Sequence, residues 1–135
     1  MRVTPYLFFD GRCEEALTLY ADLLGGKVEA MMRYDGSPAA EHVPAEMRDK
    51  VMHGCLSIGD QMLMASDAPT EHQQPQGMSV SLHIDEPADA ERVFAGLSEG
   101  GTVTMPMEET FWAKRFGMVT DRFGTPWMVN CAPDA

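Results

Sequence analysis

The feature that most constrains this chain is an internal repeat. Matching residues recur at one constant offset of 75 positions, with no gap. The matches are Phe9-Asp10 with Ile84-Asp85, Gly25-Gly26 with Gly100-Gly101, and Val28 with Val103. A repeat of this kind predicts that one structural unit is built twice, so the fold depends on how two similar copies bury their apolar surface.

Each copy has a helical pattern between its aspartate and its glycine pair. Apolar residues recur with a 3.6-residue period, which predicts one amphipathic helix per copy. The apolar stripes are Cys13, Ala16, Leu17, Tyr20, Leu23 and Leu24 in the first copy, and Ala90, Val93, Phe94 and Leu97 in the second. We expect Asp10 and Asp85 to cap the helix N-termini. We expect Gly25 and Gly100 to form the left-handed exits at the C-termini.

Extended runs around the helices predict four strands per copy. The predicted strands are Val3–Phe9, Lys27–Tyr34, Met52–Ile58 and Gln61–Ser66 in the first copy, and Met78–Ile84, Thr102–Glu109, Gly117–Thr120 and Pro126–Cys131 in the second. Gly and Asp residues at the joints are typical of hairpin turns. A short helix is expected at Pro44–Lys50, in the longer connection of the first copy.

These elements predict an α+β fold of two tandem βαβββ modules within a single domain over residues 1–135. The first module covers residues 1–67 and the second covers 78–135, and the stretch 68–77, rich in Pro and Gln, links them. Each helix covers one face of its sheet, while the other face still carries apolar side chains. Pairing the uncovered faces would hide them and leave a concave cavity, a usual place for a small ligand.

The charge of the chain limits its partners. The net charge is -11, from 10 Lys and Arg residues against 21 Asp and Glu residues. Such a field repels a phosphate backbone and an anionic membrane surface, so we expect neither nucleic acid nor membrane as a partner. No apolar run approaches the ~20 residues that cross a bilayer, and the start has no apolar stretch of secretory-signal length.

The cysteines indicate a reducing compartment. There are three, Cys13, Cys55 and Cys131, and no two of them form a Cys-x-x-Cys pair. An odd number with this spacing argues against a disulfide framework and against a structural zinc site. Cys13 lies on the apolar stripe of the first predicted helix, and Cys55 and Cys131 lie in predicted strands, so we expect buried thiols in a cytoplasmic protein.

Two stretches of the sequence resemble a known family. The run PYLFFDGRCEEA at Pro5–Ala16 is similar to the opening of the PhnB-like subgroup of the vicinal oxygen chelate superfamily. The runs ETFWAKRFG at Glu109–Gly117 and VTDRFGTPW at Val119–Trp127 are similar to the closing signature of that subgroup. The superfamily includes glyoxalase I, bleomycin-resistance proteins and extradiol dioxygenases, and the subgroup is often labelled 3-demethylubiquinone-9 3-methyltransferase-like. The resemblance spans nearly the whole chain and implies a glyoxalase/bleomycin-resistance-like fold and a homodimer.

The resemblance also implies a divalent metal in the cavity. In the superfamily the ligands are His, Glu or Gln, one each from the first and last strands of the two modules. The matching positions here are Pro5, Ser79 and, approximately, Met64 and Met128, and none of them offers the imidazole or carboxylate that such an ion prefers. The predicted closing strands contain no His, Asp or Glu. We therefore expect a degenerate metal site and no cofactor.

Residues on the predicted cavity-facing positions and in the loop that follows the sixth strand are candidates for ligand binding. They are Tyr6, Phe8, His53, Cys55, Met64, Ser79, Phe111, Trp112 and Met128. No catalytic residue is assigned among them.

Several of the candidate residues, and two basic residues that follow them in the sequence, have two interpretations. His53 is a candidate general base or hydrogen-bonding group for a ligand, or else a structural histidine. Phe111 and Trp112 would either roof the cavity and stack on a planar ligand, or anchor a subunit interface. Methionine, 12 of the 135 residues, suits a cavity that accepts varied ligands, or plain core filling. Lys114 and Arg115 would attract an anionic ligand, or lie at a solvated hairpin end.

These features predict a small-molecule-binding protein, or an enzyme without the superfamily metal, that uses a largely apolar cavity. Two alternatives stay open. One is a metal-dependent lyase, isomerase or dioxygenase of the same superfamily, and the other is a resistance-like dimer that sequesters a planar drug. The expected partners are a small-molecule ligand and a second copy of the chain.

Overall fold

The computed structural model describes residues 1–132. The chain divides into two compact units, one covering Met1–Gln73 and the other beginning at Gln74. Among the described residues, each unit contains one α-helix and one four-stranded sheet. The predicted α+β fold with two tandem βαβββ modules is therefore confirmed.

The first unit contains β1 (Tyr6–Phe9), α1 (Cys13–Leu24), β2 (Lys27–Arg33), β3 (Val51–Ile58) and β4 (Gln61–Asp67). Its strand order is β1-β4-β3-β2. β1 runs parallel to β4, and the other neighbours are antiparallel. The parallel pair needs a long crossover, and α1 lies within it.

The second unit repeats this arrangement. It contains β5 (Val80–His83), α2 (Pro87–Ser98), β6 (Thr102–Glu108), β7 (Arg115–Thr120) and β8 (Pro126–Cys131). Its strand order is β5-β8-β7-β6, again with one parallel pair, β5 with β8. The sequence repeat is thus a repeat of topology.

Each helix packs on one face of its own sheet, close to a glycine. A Cβ atom added to Gly54 of β3 would lie 2.6 Å from Cδ1 of Leu17, and one added to Gly117 of β7 would lie 2.7 Å from Cε2 of Phe94. The absence of a side chain lets each helix approach its sheet closely. Buried strand residues on the same faces complete the two cores: Leu7, Phe9, Leu56, Leu63 and Ala65 in the first unit, and Val119, Trp127 and Val129 in the second.

The prediction that Asp10 and Asp85 cap the helices is wrong. The N-cap positions belong to Arg12 and Glu86, and neither makes a side-chain capping bond. The two aspartates precede the N-cap, so they stand too far back to meet the amides of the second and third helical residues. In the first unit the carboxylate of Asp67, at the end of β4, instead accepts a hydrogen bond from the first N–H of α1.

The two glycine pairs end the helices by different geometry. Gly25 is the left-handed C-cap of α1, with φ of 67°, as predicted. Gly100 also forms the left-handed exit that was predicted for α2, but one residue later than Gly25 does for α1, because α2 ends at Ser98 and its C-cap is Glu99, with φ of -61°. Gly100 is left-handed, with φ of 71°, but it follows the cap.

The second glycine of each pair is needed for close packing of the backbone. A Cβ on Gly26 would lie 2.6 Å from the carbonyl oxygen of Ser57, and a Cβ on Gly101 would lie 2.4 Å from that of Thr120. Both oxygens belong to strand backbone, which cannot move aside without disturbing the sheet. The repeat of these glycines therefore has a steric cause.

Other boundaries shift by a few residues. β1 begins at Tyr6 rather than Val3, because its pairing with β4 begins there. β7 begins at Arg115 rather than Gly117, because Arg115 already pairs with Cys131. The three cysteines are free and buried, as predicted.

The short helix predicted at Pro44–Lys50 is present only as a 3-10 turn of three residues, Ala45–Met47. Two short 3-10 turns, Pro38–His42 and Ala45–Met47, lie in this connection. Pro44 is extended, with ψ of 154°, and this separates the turns. Within residues 1–132, no helix is both long and apolar enough to cross a membrane.

Candidate functional site

Several predicted ligand-binding residues lie together on the helix-free face of the first sheet. Side chains alternate between the faces of a strand, and Gly54 faces α1. His53 and Cys55 therefore point away from the helix. The strand register pairs Met64 with Cys55 on one side and with Tyr6 on the other, so all four side chains share this face.

An aromatic cluster occupies one side of this face. The rings of Tyr6 and Phe8 lie 5.1 Å apart at an angle of 41°. The His53 ring lies 5.7 Å from the Tyr6 ring at 30°, in a stacked arrangement. Tyr6 keeps 39% of its surface exposed and Phe8 keeps 53%. We call Tyr6, Phe8 and His53 the aromatic cluster.

One hydrogen bond crosses the aromatic cluster. The Tyr6 hydroxyl lies 3.1 Å from Nδ1 of His53. When the histidine is neutral and carries its proton on Nε2, the phenol donates to Nδ1 and Nε2–H stays available as a donor. The cluster therefore offers flat apolar surface beside a group that can exchange a hydrogen bond with a ligand.

Cys55 and Met64 form the apolar part of the same face. Cys55 is buried, with 5% of its surface exposed. Burial, and to a lesser degree the carboxylate of Glu29, raises the pKa of the Cys55 thiol. The thiol therefore stays neutral near pH 7, and it acts here as a small apolar group rather than a nucleophile.

The remaining predicted residues belong to the second unit. Met128 pairs with Met118 and Ser81 in the strand register, on the face opposite α2. Ser79 precedes β5 and is half-buried. Phe111 and Trp112 lie in the connection between β6 and β7. Among these four residues, Phe111 and Trp112 contact each other.

Phe111 and Trp112 extend an aromatic series from the second sheet. Phe111 is 96% exposed and Trp112 is 44% exposed. Their rings meet edge to face at 4.7 Å, and Trp112 meets the Phe116 ring of β7 edge to face at 5.4 Å. The Thr110 hydroxyl accepts hydrogen bonds from the backbone N–H groups of Trp112 and Ala113, at 3.3 and 3.1 Å, which fixes the turn.

Arg115, a candidate for attracting an anion, already has partners. Its Nε lies 3.1 Å from Oε1 of Glu91 on α2. Its Nη1 donates to the backbone carbonyl of Lys114 at 2.9 Å. An anionic ligand would have to compete with both contacts.

Asp67 is a buried carboxylate of the first unit that the sequence did not predict. Asp67 is 1% exposed. Its Oδ1 accepts from the N–H of Cys13 and its Oδ2 accepts from the N–H of Val51, both at 2.9 Å. The Tyr34 hydroxyl donates to its backbone carbonyl at 2.9 Å. Both carboxylate oxygens are occupied by backbone amides, so Asp67 joins α1, β3 and β4 structurally.

A second buried carboxylate explains the closing signature. Asp121 is 4% exposed and lies in the turn between β7 and β8. Its Oδ1 accepts from the N–H groups of Phe123 and Thr125, at 2.9 and 3.0 Å, and its Oδ2 accepts from the Trp127 indole at 2.8 Å. The TDRFGTPW run therefore builds a rigid hairpin and supplies no free catalytic carboxylate.

The side chains that could bind a metal are dispersed. Within residues 1–132, no three His, Cys, Asp or Glu side chains are grouped so that they could hold a metal ion. Met64 and Met128, the predicted positions of the superfamily's strand ligands, pair with Tyr6 and Ser81 in the register.

Comparison with known proteins places the chain in a family. Residues 1–130 match the profile of 3-demethylubiquinone-9 3-methyltransferase. The chain belongs to this family. The sequence predicted this family through its resemblance to proteins labelled 3-demethylubiquinone-9 3-methyltransferase-like. A curated relative, Protein YjdN of Escherichia coli K12, is 33% identical over 139 residues, which cover 96% of this chain and 95% of the relative.

Solved structures of other proteins share the fold of this chain. Protein PA1353 from Pseudomonas aeruginosa is 48% identical to this chain. The two structures superpose over 99% of each chain with a TM-score of 0.90. The bleomycin-binding protein from Streptomyces verticillus, solved with copper(II)-bleomycin, is 18% identical, with a TM-score of 0.59 and coverage of 98% of this chain and 97% of the other. The latter likeness shows a shared fold.

Proposed function

We propose that this 3-demethylubiquinone-9 3-methyltransferase family member binds a small planar organic molecule, and does so without the divalent metal of its superfamily. The observation that carries the proposal is the aromatic cluster. Tyr6 and Phe8 remain partly exposed although they lie on a sheet whose opposite face is well packed. Exposed aromatic rings that already contact each other offer a flat surface on which a planar ligand can stack.

The cluster also favours one kind of ligand. Stacking on an aromatic ring is worth about 0.5–1.5 kcal/mol beyond the burial of area. The Tyr6–His53 pair adds one hydrogen-bonding position at the side of the rings. A planar aromatic molecule with one hydroxyl or carbonyl group therefore fits better than a purely apolar or a non-planar one.

The donor chemistry supports binding without a metal. The positions that match the superfamily's ligands hold Pro5, Met64, Ser79 and Met128. A thioether is a soft ligand and a proline side chain offers no donor, so this set does not fit Mn, Fe, Ni or Zn ions. We therefore assign no step of the function to a bound metal.

Binding of 2-naphthol, naphthalene and decahydro-2-naphthol, followed by calorimetry, tests the proposal. We expect 2-naphthol to bind most tightly. Phe8→Ala should weaken its binding about tenfold, the equivalent of about 1.4 kcal/mol. His53→Ala should weaken 2-naphthol binding more than naphthalene binding, because it removes the hydrogen-bonding group as well as part of the stacked surface. Val103→Ala, at an exposed position of β6, is the matched control. Equal binding of all three compounds, or equal effects of Phe8→Ala and Val103→Ala, would reject the proposal.

The metal content of the purified protein distinguishes binding without a metal from the metal-dependent alternative. The protein purified without chelators should contain Mn, Fe, Ni and Zn far below one equivalent. One equivalent of any of them would favour a metal-dependent lyase, isomerase or dioxygenase, and would contradict binding without a metal.

A drug-sequestering dimer is the second candidate, and the exposed Phe111–Trp112 pair favours it. In this case planar compounds should quench Trp112 fluorescence saturably without being converted.

We also propose that the chain forms a homodimer and works in the cytoplasm, where reducing conditions suit three free buried cysteines. Sedimentation equilibrium at micromolar concentration would show a monomer mass if the dimer proposal is wrong.

A further inference from the structure

Three polar side chains form a connected series on the helix-free face of the second sheet. Ser81 Oγ lies 3.4 Å from Nε2 of His83. Nδ1 of the same imidazole lies 3.3 Å from Nδ2 of Asn130. The imidazole thus contacts a hydroxyl with one nitrogen and a carboxamide with the other.

The fold explains why these residues meet. Ser81 and His83 are two residues apart on β5, so their side chains leave the same face of the strand. β5 pairs in parallel with β8, and the register sets His83 opposite Asn130. The alternation of polar residues along β5 was visible in the sequence, whereas the contribution of β8 was not.

The order of the groups is that of a nucleophile, a base and an orienting residue. In such a series the base accepts the hydroxyl proton on one nitrogen, and the orienting group accepts the N–H of the other. A 180° rotation of the Asn130 amide brings Oδ1 to Nδ1 of His83, and Nε2 then faces the Ser81 hydroxyl as an acceptor.

The surroundings of Asn130 allow this rotation. Its Oδ1 is buried and accepts no hydrogen bond from any residue within 1–132. No second bond to this oxygen therefore holds the amide in its present orientation. Either orientation satisfies the contact with His83, and the orientation with Oδ1 toward Nδ1 is the one that prepares Nε2 to take a proton.

Accessibility and polarity also suit a reactive serine. Ser81 and His83 are exposed, whereas Asn130 is half-buried. Met128 lies beside Ser81, and the buried Phe116 lies beside Asn130, in the strand register. A substrate can reach the hydroxyl, while apolar side chains lie along one side of the site.

We propose that Ser81, His83 and Asn130 form a nucleophilic triad that hydrolyses small esters of carboxylic acids. Ser81 Oγ attacks the carbonyl carbon while its proton passes to Nε2 of His83, and the alcohol leaves with that proton, so an acyl-serine forms. Water then attacks the acyl carbon, gives its proton to His83, and releases the acid as the proton returns to Ser81. The triad lies in the second unit and the aromatic cluster lies in the first, so either proposal can fail without the other.

Hydrolysis of p-nitrophenyl acetate by the full chain tests the triad. We expect release of p-nitrophenolate and transient acetylation at Ser81, located by mass spectrometry of the quenched protein. Ser81→Ala and His83→Ala should each lower the rate about 100-fold, the scale of a lost nucleophile or general base. Ser57→Ala and His42→Ala, in the first unit, are matched controls and should leave the rate unchanged.

Asn130 is a positioning residue and needs a separate readout. Asn130→Ala should lower the rate of acetylation with little effect on KM, and Asn130→Asp should restore much of it, because a carboxylate can accept the same N–H. Equal melting temperatures would show that all variants fold. Acetylation at another residue, or a Ser81→Ala variant as active as the wild type, would overturn the triad. Loss of activity in His83→Ala but not in Ser81→Ala would equally overturn it, because His83 would then be the nucleophile.

Discussion

The indole of Trp127 donates a hydrogen bond of 2.8 Å to Oδ2 of Asp121, and both side chains are buried. This bond joins the first residue after β7 to the second residue of β8. With the two backbone N–H groups that Oδ1 accepts, it satisfies a charge that would otherwise be costly to bury. The most distinctive run of the sequence is therefore explained by the stability of a hairpin.

Replacing this carboxylate should destabilise the fold strongly. In Asp121→Ala, the indole and two backbone donors lose their acceptor inside the protein. Hydrogen bonds to a charged group are worth about 1.5–3 kcal/mol each, and all three are lost here, so we expect the free energy of unfolding to fall by at least about 4.5 kcal/mol. Urea unfolding measures this loss. Asp22→Ala, at an exposed position of α1, should change stability by less than about 0.5 kcal/mol, and similar losses in both variants would contradict the assignment.

The second glycine of the repeat should tolerate no side chain. In Gly101→Ala, the new Cβ would meet the Thr120 carbonyl oxygen at 2.4 Å, and the strand backbone would have to shift. We expect destabilisation of about 2–3 kcal/mol, typical of overpacking at a rigid site. Gly77→Ala is the control, because nothing lies within 4 Å of its Cβ position. This variant should lose only about 1 kcal/mol of stability, since alanine is less stable than glycine in the left-handed conformation. Thermal unfolding should rank the two variants in this order, and the reverse order would show that the backbone contact is unimportant.

Stability should fall above pH 9, and the buried Cys13 thiol should contribute to this fall. Burial, with the carboxylates of Asp67 and Glu14, raises the pKa of Cys13 from 9.0 to about 12. The unfolded chain therefore ionises first, and above pH 9 it binds fewer protons than the folded chain. Stability then decreases with rising pH until the folded thiol also ionises near pH 12, by at most about 1.4 kcal/mol per pH unit.

The variant Cys13→Ala isolates this contribution. Urea unfolding of both proteins between pH 7 and 10.5 should give parallel stability curves below pH 8. Above pH 9, the wild type should lose stability more steeply than the variant. Parallel curves over the whole range would mean that the thiol ionises as easily in the folded protein as in the unfolded chain.

The two tryptophans should report different environments. Trp127 is fully buried and Trp112 is 44% exposed. Trp112→Phe should remove most of the fluorescence that iodide can quench and shift the emission maximum to shorter wavelength. Trp127→Phe should leave the quenchable part. Equal quenching of the two variants would contradict the placement of Trp112 at the surface and would weaken its use as a reporter of ligand binding.

Local patterns in the sequence were sufficient for the architecture. The helical stripes, the alternating strands and the 75-residue offset predicted both modules, because periodicity decides which face of an element is buried. Alternation also selected Tyr6, Phe8, His53, Cys55 and Met64 as residues of one face. The helix ends were predicted less well, since a cap depends on where the last turn stops.

Tertiary structure decided which groups meet. The N–H of Cys13 finds its acceptor in Asp67, 54 residues away, instead of in the neighbouring Asp10. The Tyr6 hydroxyl contacts the imidazole of His53, 47 residues away. The Asn130 carboxamide contacts the imidazole of His83, also 47 residues away. Alternation along a strand determines the side on which a residue lies. Its partner depends on strand order and register, which are set by the packing of the whole sheet.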